Sequence, residues 1–190
     1  TRTLSYRELA GLADDLAGLL PGGRGMGILA MPSTIEAVAL YLGALRSARQ
    51  VPLLVQADTD PELLAALVDC YTPEWLALPG PAPRGYTTVH AGGRLSIHVR
   101  DAVTGAAPHP ELAVLLSTSG STGSSKLVRL SAQGLASNAA SIVAYLGLTA
   151  DDRAITTLPL AYSFGMSILN SHLACGGCVV LSEDSLMTRE

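Results

Sequence analysis

The sequence predicts an α/β protein built on a mostly parallel sheet with covering helices. Three observations carry that expectation. Short apolar runs at 27–31, 51–55 and 75–78 read as buried strands. Stretches with helical spacing separate them, each preceded by a capping residue. The resulting order, strand, helix, strand, helix, strand, is the signature of parallel strands joined by crossover helices.

The elements follow in order. Ser5-Tyr6-Arg7-Glu8 fits the S-x-x-E capping box, and Leu9, Leu12, Ala13, Leu16 and Leu19 then recur at helical spacing until Pro21-Gly22-Gly23. A strand over 27–31 precedes Ser33-Thr34-Ile35-Glu36, a second capping-box pattern that opens a helix reaching Ala48. The strand over 51–55 carries Pro52 near its start, where a missing donor is tolerated. Asp60 with Pro61 reads as the cap and first position of a third helix bearing Leu63, Leu64, Leu67 and Val68. Trp75 to Leu78 is the third strand. Gly and Pro then become dense, and alternation in Leu95, Ile97 and Val99 predicts a strand with one wet face. Residues 104–110 read as a connector. Beyond it, 112–116 is a fully buried strand, 127–130 another, and Ser131 caps a helix to Leu146. Residues 155–158 are strand-like, 164–174 helix-like, and 178–181 a last strand. The expected division is 1–103 as a first α/β subdomain, 104–110 as connector, and 111–190 as a second α/β segment.

Composition narrows the function classes. Hydrophobic residues at 48% and charged residues at 15% exclude disorder. A net charge of −4 argues against a nucleic-acid binder. Three cysteines in 190 residues exclude a disulfide-stapled mini-fold. No run approaches the ~18 apolar residues of a membrane span. Sparse cysteine without a signal pattern points to the cytoplasm. The first and last residues, Thr1 and Glu190, close no element, so the chain reads as a piece of a longer protein.

The most informative segment is Ser117-Thr118-Ser119-Gly120-Ser121-Thr122-Gly123-Ser124-Ser125-Lys126, which follows a buried strand. Glycines let successive N–H groups converge on an anion, and hydroxyls add rotatable donors. Lys126 is the only lysine; the other 11 basic residues are arginines, so an ammonium stands here in a chain that otherwise uses guanidinium. These groups suit a polyphosphate. The spacing Gly120, Gly123, Lys126 between two strands is neither a Walker loop nor a dinucleotide fingerprint. A flexible Ser/Gly linker has a similar composition, but linkers do not join two core strands.

Residues 118–126 resemble the phosphate-loop signature T-S-G-[ST]-T-G-x-P-K of adenylate-forming enzymes: acyl-CoA synthetases, adenylation domains of peptide synthetases, and luciferases. The chain departs only at Ser125, where the family has Pro. Thr157-Leu158-Pro159-Leu160-Ala161-Tyr162-Ser163-Phe164-Gly165 resembles the family's next motif, L-P-L-aromatic-His-x-x-G, which borders the carboxylate pocket in relatives. Ala161 stands at the aromatic position and Tyr162 at the His position. Leu4-Ser5-Tyr6-Arg7-Glu8-Leu9 is similar to the family's L-T-Y-x-E-L start.

The resemblance implies the N-terminal portion of the large domain of an ATP-dependent ligase. Such an enzyme adenylates a carboxylic acid with ATP and Mg²⁺, then passes the acyl group to CoA or a carrier protein. It implies ATP-binding roles for Thr118, Ser119, Gly120, Ser121, Thr122, Gly123 and Lys126, and a substrate pocket at Tyr162, Ser163, Phe164 and Gly165. It leaves the isolated chain inactive, because the family's other nucleotide-, metal- and catalytic-lysine segments lie further along. The alternative is a non-catalytic nucleotide- or phosphate-binding scaffold.

Other features read as structural. Cys175-Gly176-Gly177-Cys178 precedes a strand, unlike redox pairs at helix starts, and lacks partners for zinc. His90, His98, His109 and His172 show no metal-ligand spacing, although His172 shares a helix with the pocket motif and is a secondary candidate for touching substrate. Asp151-Asp152 reads as a solvated turn, and Tyr145 and Leu146 as core.

Overall fold

The helices begin where a short polar side chain can close their first turn. The computed structural model describes residues 2–92, 94–102, 106–117 and 127–182. Helix α1 (Tyr6–Ala17) has the reciprocal box: Ser5 accepts from the Glu8 N–H, and Glu8 accepts from the Ser5 N–H at 2.7 Å. It ends at Gly18, earlier than Pro21, so Leu19 is partly exposed while Leu20 turns inward. Strand β1 (Gly25–Ala30) leads to α2 (Ile35–Ser47). Its cap is Thr34, whose hydroxyl accepts from the Ala37 N–H, and not Ser33. The apolar stripe starting at Ile35 decides the register, because the cap must immediately precede it. Strand β2 (Gln50–Val55) is followed by α3 (Pro61–Tyr71), where Asp60 accepts from the N–H groups of Glu62 and Leu63.

Strands β3 (Trp75–Leu78), β4 (Tyr86–His90), β5 (Ser96–Arg100), β6 (Leu112–Ser117) and β7 (Leu127–Ser131) complete a seven-stranded sheet in the order β4-β5-β3-β1-β2-β6-β7. The centre, β3-β1-β2-β6, is parallel; β5, β4 and β7 join antiparallel. Helix α4 (Ala132–Leu146) follows, then β8 (Arg153–Ile155), α5 (Ser163–Cys175) and β9 (Cys178–Val180), with β8 and β9 forming a separate parallel pair.

Central strands are apolar on both faces because both are covered. Leu29, Leu54, Trp75, Ile97 and Leu116 pack with α1, α2 and α5, whereas Ile28, Leu53, Val55, Leu76 and Leu115 pack with α3. Strand β5 has no wet face. It lies between β3 and β4, and His98, on the face expected to be exposed, is fully buried opposite Leu76 and Thr88. The edge falls to β4, where Thr87, Thr88 and Val89 are exposed. Strand β6 is buried over Val114–Leu116, but its first two residues are only half-buried. Tyr145 and Leu146 are not core: they are 89% and 60% exposed at the end of α4.

One side chain delivers β6 to β2. The Arg24 guanidinium donates to the carbonyls of Pro108, His109, Pro110 and Leu112 and to that of Ala48. A planar fork with five donors suits a strap of carbonyls. It sits one residue before β1 and pins the connector, so β6 enters parallel to β2 with Leu54 opposite Leu116. No helix among the described residues is long and apolar enough to cross a membrane.

Candidate functional site

Ligands of open α/β sheets bind outside the carboxyl ends of parallel strands, where strand order reverses. Here β1 is flanked by β2 on one side and by β3 on the other, so strand order reverses at β1. Strands β1 and β2 finish together, with Ala30 opposite Val55 and the Met31 N–H donating to the Val55 carbonyl at 3.0 Å. Strand β6 ends at the same edge with Ser117.

Residues 118–126, with the expected ligands Thr118, Ser119, Gly120, Ser121, Thr122, Gly123 and Lys126, lie outside the described residues. Their two anchors do not. Ser117 and Leu127 are paired across β6 and β7, so the chain leaves β6 and re-enters β7 at one point on the carboxyl edge. The expectation that two core strands flank 118–126 holds for β6 only: β7 is the last strand of the sheet, with Val128 and Arg129 exposed, because it pairs on one side alone among the described residues.

The second motif reaches the same edge. Leu160 and Ala161 are buried, and the Tyr162 N–H donates to the Pro159 carbonyl at 3.1 Å, closing a turn directly before α5. Gly165 makes that turn possible. A β-carbon there would stand 2.3 Å from the Pro159 carbonyl oxygen. Tyr162 occupies the cap position of α5, and its side chain makes no capping bond to that helix. Helix starts carry partial positive charge. Ser163 and Phe164 are exposed, whereas Gly165 is buried. Tyr41 anchors the helix from α2: Asn170 Nδ2 donates to its hydroxyl at 3.0 Å. Burial pushes the Tyr41 phenol up to about 12, with the Asn170 bond opposing.

Sequence reasoning missed one residue at this edge. Gln56, the first residue after β2, donates from Nε2 to the Tyr162 hydroxyl at 2.7 Å. In parallel register it is level with the exit from β6, because Leu54 faces Leu116. A lone Gln in a turn carries no local signal; only the approach of α5 to the end of β2 marks it.

Other candidates separate from the site. His172 is in the last turn of α5, ten residues from Tyr162 and so roughly 15 Å along the helix. Its Nδ1 lies 2.9 Å from the Ile168 carbonyl oxygen. Cys175 closes α5 and Cys178 opens β9; both are free thiols, and the Cys175 Sγ contacts the Thr149 and His172 carbonyls. Among the described residues, no group of three or more His, Cys, Asp or Glu could hold a metal. Asp152 does form a turn. It accepts from the Thr149 N–H and hydroxyl, which hold its carboxyl below the usual range. A recess of about 250 Å³ lies at the opposite, amino-terminal edge, between Arg24, Ala48, Gln50, Leu112 and Gln133. The Arg24 guanidinium there is already committed to carbonyls, and the recess is remote from the strand ends that suit a ligand.

A family model described as AMP-binding enzyme matches residues 1–190. The chain belongs to the AMP-binding enzyme family. Solved structures agree on the fold. Apo MatB from Rhodopseudomonas palustris superposes with a TM-score of 0.72 at 22% identity, covering 96% of this chain and 40% of that one. An E. coli MenE variant with bound OSB-AMS gives 0.72 at 21%, covering 98% and 42%. VinN in complex with 3-methylaspartate gives 0.73 at 21%, covering 93% and 54%. MatB has also been solved with ATP bound, similar at 23% identity with a TM-score of 0.72, covering 96% of this chain and 41% of that one. No curated protein matches the chain. The AMP-binding chain thus spans between 40% and 54% of the length of these structures.

Proposed function

We propose that this AMP-binding chain is the phosphate-loop portion of an ATP-dependent ligase that activates a carboxylic acid. The reaction joins the acid to the α-phosphate of ATP with loss of pyrophosphate, then transfers the acyl group to the thiol of CoA or of an acyl or peptidyl carrier protein. The observation that carries this reading is the anchoring of 118–126 between paired Ser117 and Leu127 at the carboxyl edge of the parallel strands. The Tyr162 turn shares that edge.

The donor chemistry fits a triphosphate. Six hydroxyls, two glycines and one ammonium occupy nine consecutive positions. Ser121 and Thr122 would donate to the β- and γ-phosphate oxygens, and Lys126 would neutralise their charge, with Thr118, Ser119, Gly120 and Gly123 completing the ATP-binding set. Mg²⁺ bound to the triphosphate would share that neutralisation. These residues act by positioning and electrostatic stabilisation, the main resources of phosphoryl-type chemistry. Tyr162, Ser163, Phe164 and Gly165 would border the acid, with Tyr162 offering a phenol where relatives carry imidazole. The division into 1–103, a connector at 104–110, and 111–190 remains a reading of the sequence, alongside a sheet that runs through both parts.

Titration of the chain with ATP tests this reading. Lys126→Ala should weaken ATP binding about tenfold or more, the scale of a charge-assisted phosphate contact. Equal affinity in both proteins would remove the loop from the argument. The chain alone should show no pyrophosphate exchange. ATP binding by a longer form of the protein that still lacked exchange with any acid would favour the non-catalytic scaffold.

A further inference from the structure

Cys175-Gly176-Gly177-Cys178 brackets the turn from α5 into β9, and the site described above does not use it. Three segments hold that turn. Gly176 ends the helix at φ 81°, and the N–H groups of Gly176 and Gly177 donate to the carbonyls of Leu173 at 3.3 Å and His172 at 2.8 Å. The Cys178 N–H donates to the Asp152 carbonyl at 2.8 Å. From α1, the Tyr6 hydroxyl donates to the Gly177 carbonyl at 2.7 Å. Both thiols are free and partly exposed. The Cys175 sulfur lies back across the turn, where a β-carbon on Gly177 would stand 3.3 Å from it. Two glycines leave no side chain between the cysteines. Both sulfurs also stand near one hydroxyl: burial pushes the Tyr6 phenol up, and Cys175 and Cys178 add to the rise.

We propose that Cys175 and Cys178 are a closable dithiol, which a small-molecule disulfide such as glutathione disulfide converts into an intrachain disulfide stapling the end of α5 to the start of β9. One cysteine thiolate attacks glutathione disulfide, forming a mixed disulfide and releasing one glutathione thiolate. The second cysteine thiolate attacks the cysteine sulfur of that mixed disulfide and expels the other. Two cysteine thiols are oxidised, one glutathione disulfide is reduced to two thiols, and the two protons pass from the cysteines to the glutathiones. Once oxidised, Cys175 has no S–H, so its 3.3 Å contacts with the carbonyls of Thr149 and His172 end. Those carbonyls keep the Asp152 and Gly177 N–H groups as donors, so closure leaves neither unpaired. The pair lacks the helix start that activates the thiol of a disulfide-exchange enzyme. Its role is a switchable cross-link rather than catalysis.

The full chain is equilibrated in mixtures of reduced and oxidised glutathione, quenched with acid, alkylated and digested with trypsin. Cys175 and Cys178 fall on the peptide 154–189 and Cys70 on 50–84, so the pair is read separately by mass. The expected product is an unalkylated 154–189 peptide lighter by two hydrogens. Its equilibrium constant should exceed that of the urea-unfolded chain by about tenfold, because the folded turn holds the thiols together. Tyr6→Phe releases the Gly177 carbonyl and should lower the native constant about fivefold, the scale of one hydrogen bond. Gly177→Ala places a methyl group against the Cys175 sulfur and the Asp152 carbonyl and should lower it as well. Trp75 fluorescence checks that each variant is folded. The proposal is overturned if the native chain oxidises no more readily than the unfolded one, if each cysteine takes up glutathione separately, or if Cys70 is the partner. A native constant unchanged in both Tyr6→Phe and Gly177→Ala overturns it too, since the turn would then play no part in bringing the thiols together.

Discussion

The indole N–H of Trp75 donates to Gln50 Oε1 at 2.8 Å, and the same amide donates from Nε2 to the carbonyls of Pro21 at 2.6 Å and Gly23 at 2.7 Å. Both side chains are buried. Gln50 thus supplies the acceptor for the fully buried indole N–H and donors to two carbonyls of the turn before β1. It ties the segment before β1 to β2 and β3, the strands flanking β1.

Gly27 completes that arrangement, because a β-carbon there would lie 2.0 Å from the Trp75 ring. Gly27→Ala should displace the indole and cost about 3 kcal/mol, the upper range of core overpacking. The single tryptophan reports it directly. Its fluorescence should shift to the red and its urea midpoint fall; an unchanged spectrum and midpoint would mean that β1 and β3 separate without penalty.

Arg24 makes the second prediction. Arg24→Lys keeps the charge but loses the planar fork that spans the carbonyls of Pro108, His109, Pro110, Leu112 and Ala48. The expected cost is about 2 kcal/mol, the scale of charge-assisted bonds partly replaced by water. Limited proteolysis should cut the connector faster in the variant. Equal cleavage rates would show that β6 holds its register without the clamp.

Gly165 supports the Tyr162 turn by close approach. Gly165→Ala pushes a methyl group into the Pro159 carbonyl and should cost about 2 kcal/mol. It should also move the Tyr162 ring resonances and those of the Gln56 side-chain amide, because the two are bonded. A variant with the wild-type thermal midpoint and unmoved resonances would refute the packing argument.

His98 sets a pH dependence. It is fully buried, its Nδ1 lies 3.0 Å from the Thr88 hydroxyl, and its Nε2 has no partner among the described residues. Burial lowers its pKa below the ordinary 6.5. The unfolded chain then binds the proton more readily. The contribution to stability is complete above 6.5 and is lost as pH falls below 6.5 toward the folded-state value. Glu74 acts with the opposite sign: burial raises its pKa above 4.5, so its contribution is lost as pH rises through that window. Urea midpoints measured from about pH 7.5 down to about pH 5 should decline. His98→Leu should flatten the decline by removing the proton-binding difference. A variant with the same slope as wild type would acquit His98.

Local signals decided much of this molecule. Capping chemistry placed the starts of α1, α3 and α4, because Ser5, Asp60 and Ser131 bond within their own first turns. Apolar runs located the central strands, since a strand covered on both faces has no polar alternation to disguise it. The hydroxyl-and-glycine run at 118–126 and the turn before Gly165 are likewise contiguous, so their family character is legible without a fold. What depends on neighbours distant in sequence was not legible. Leu95, Ile97 and Val99 alternate as a strand with one wet face would, yet β5 lies between β3 and β4 and His98 on the other face is fully buried. Tyr145 and Leu146 have core composition, yet nothing among the described residues covers them. Arg24 and Gln56 look like ordinary polar residues until the sheet order brings a strap of carbonyls to one and a phenol to the other. Short-range hydrogen bonds and hydrophobic periodicity are written in adjacent residues; burial and partnership across the sheet depend on which strands become neighbours, and only the tertiary structure decided that.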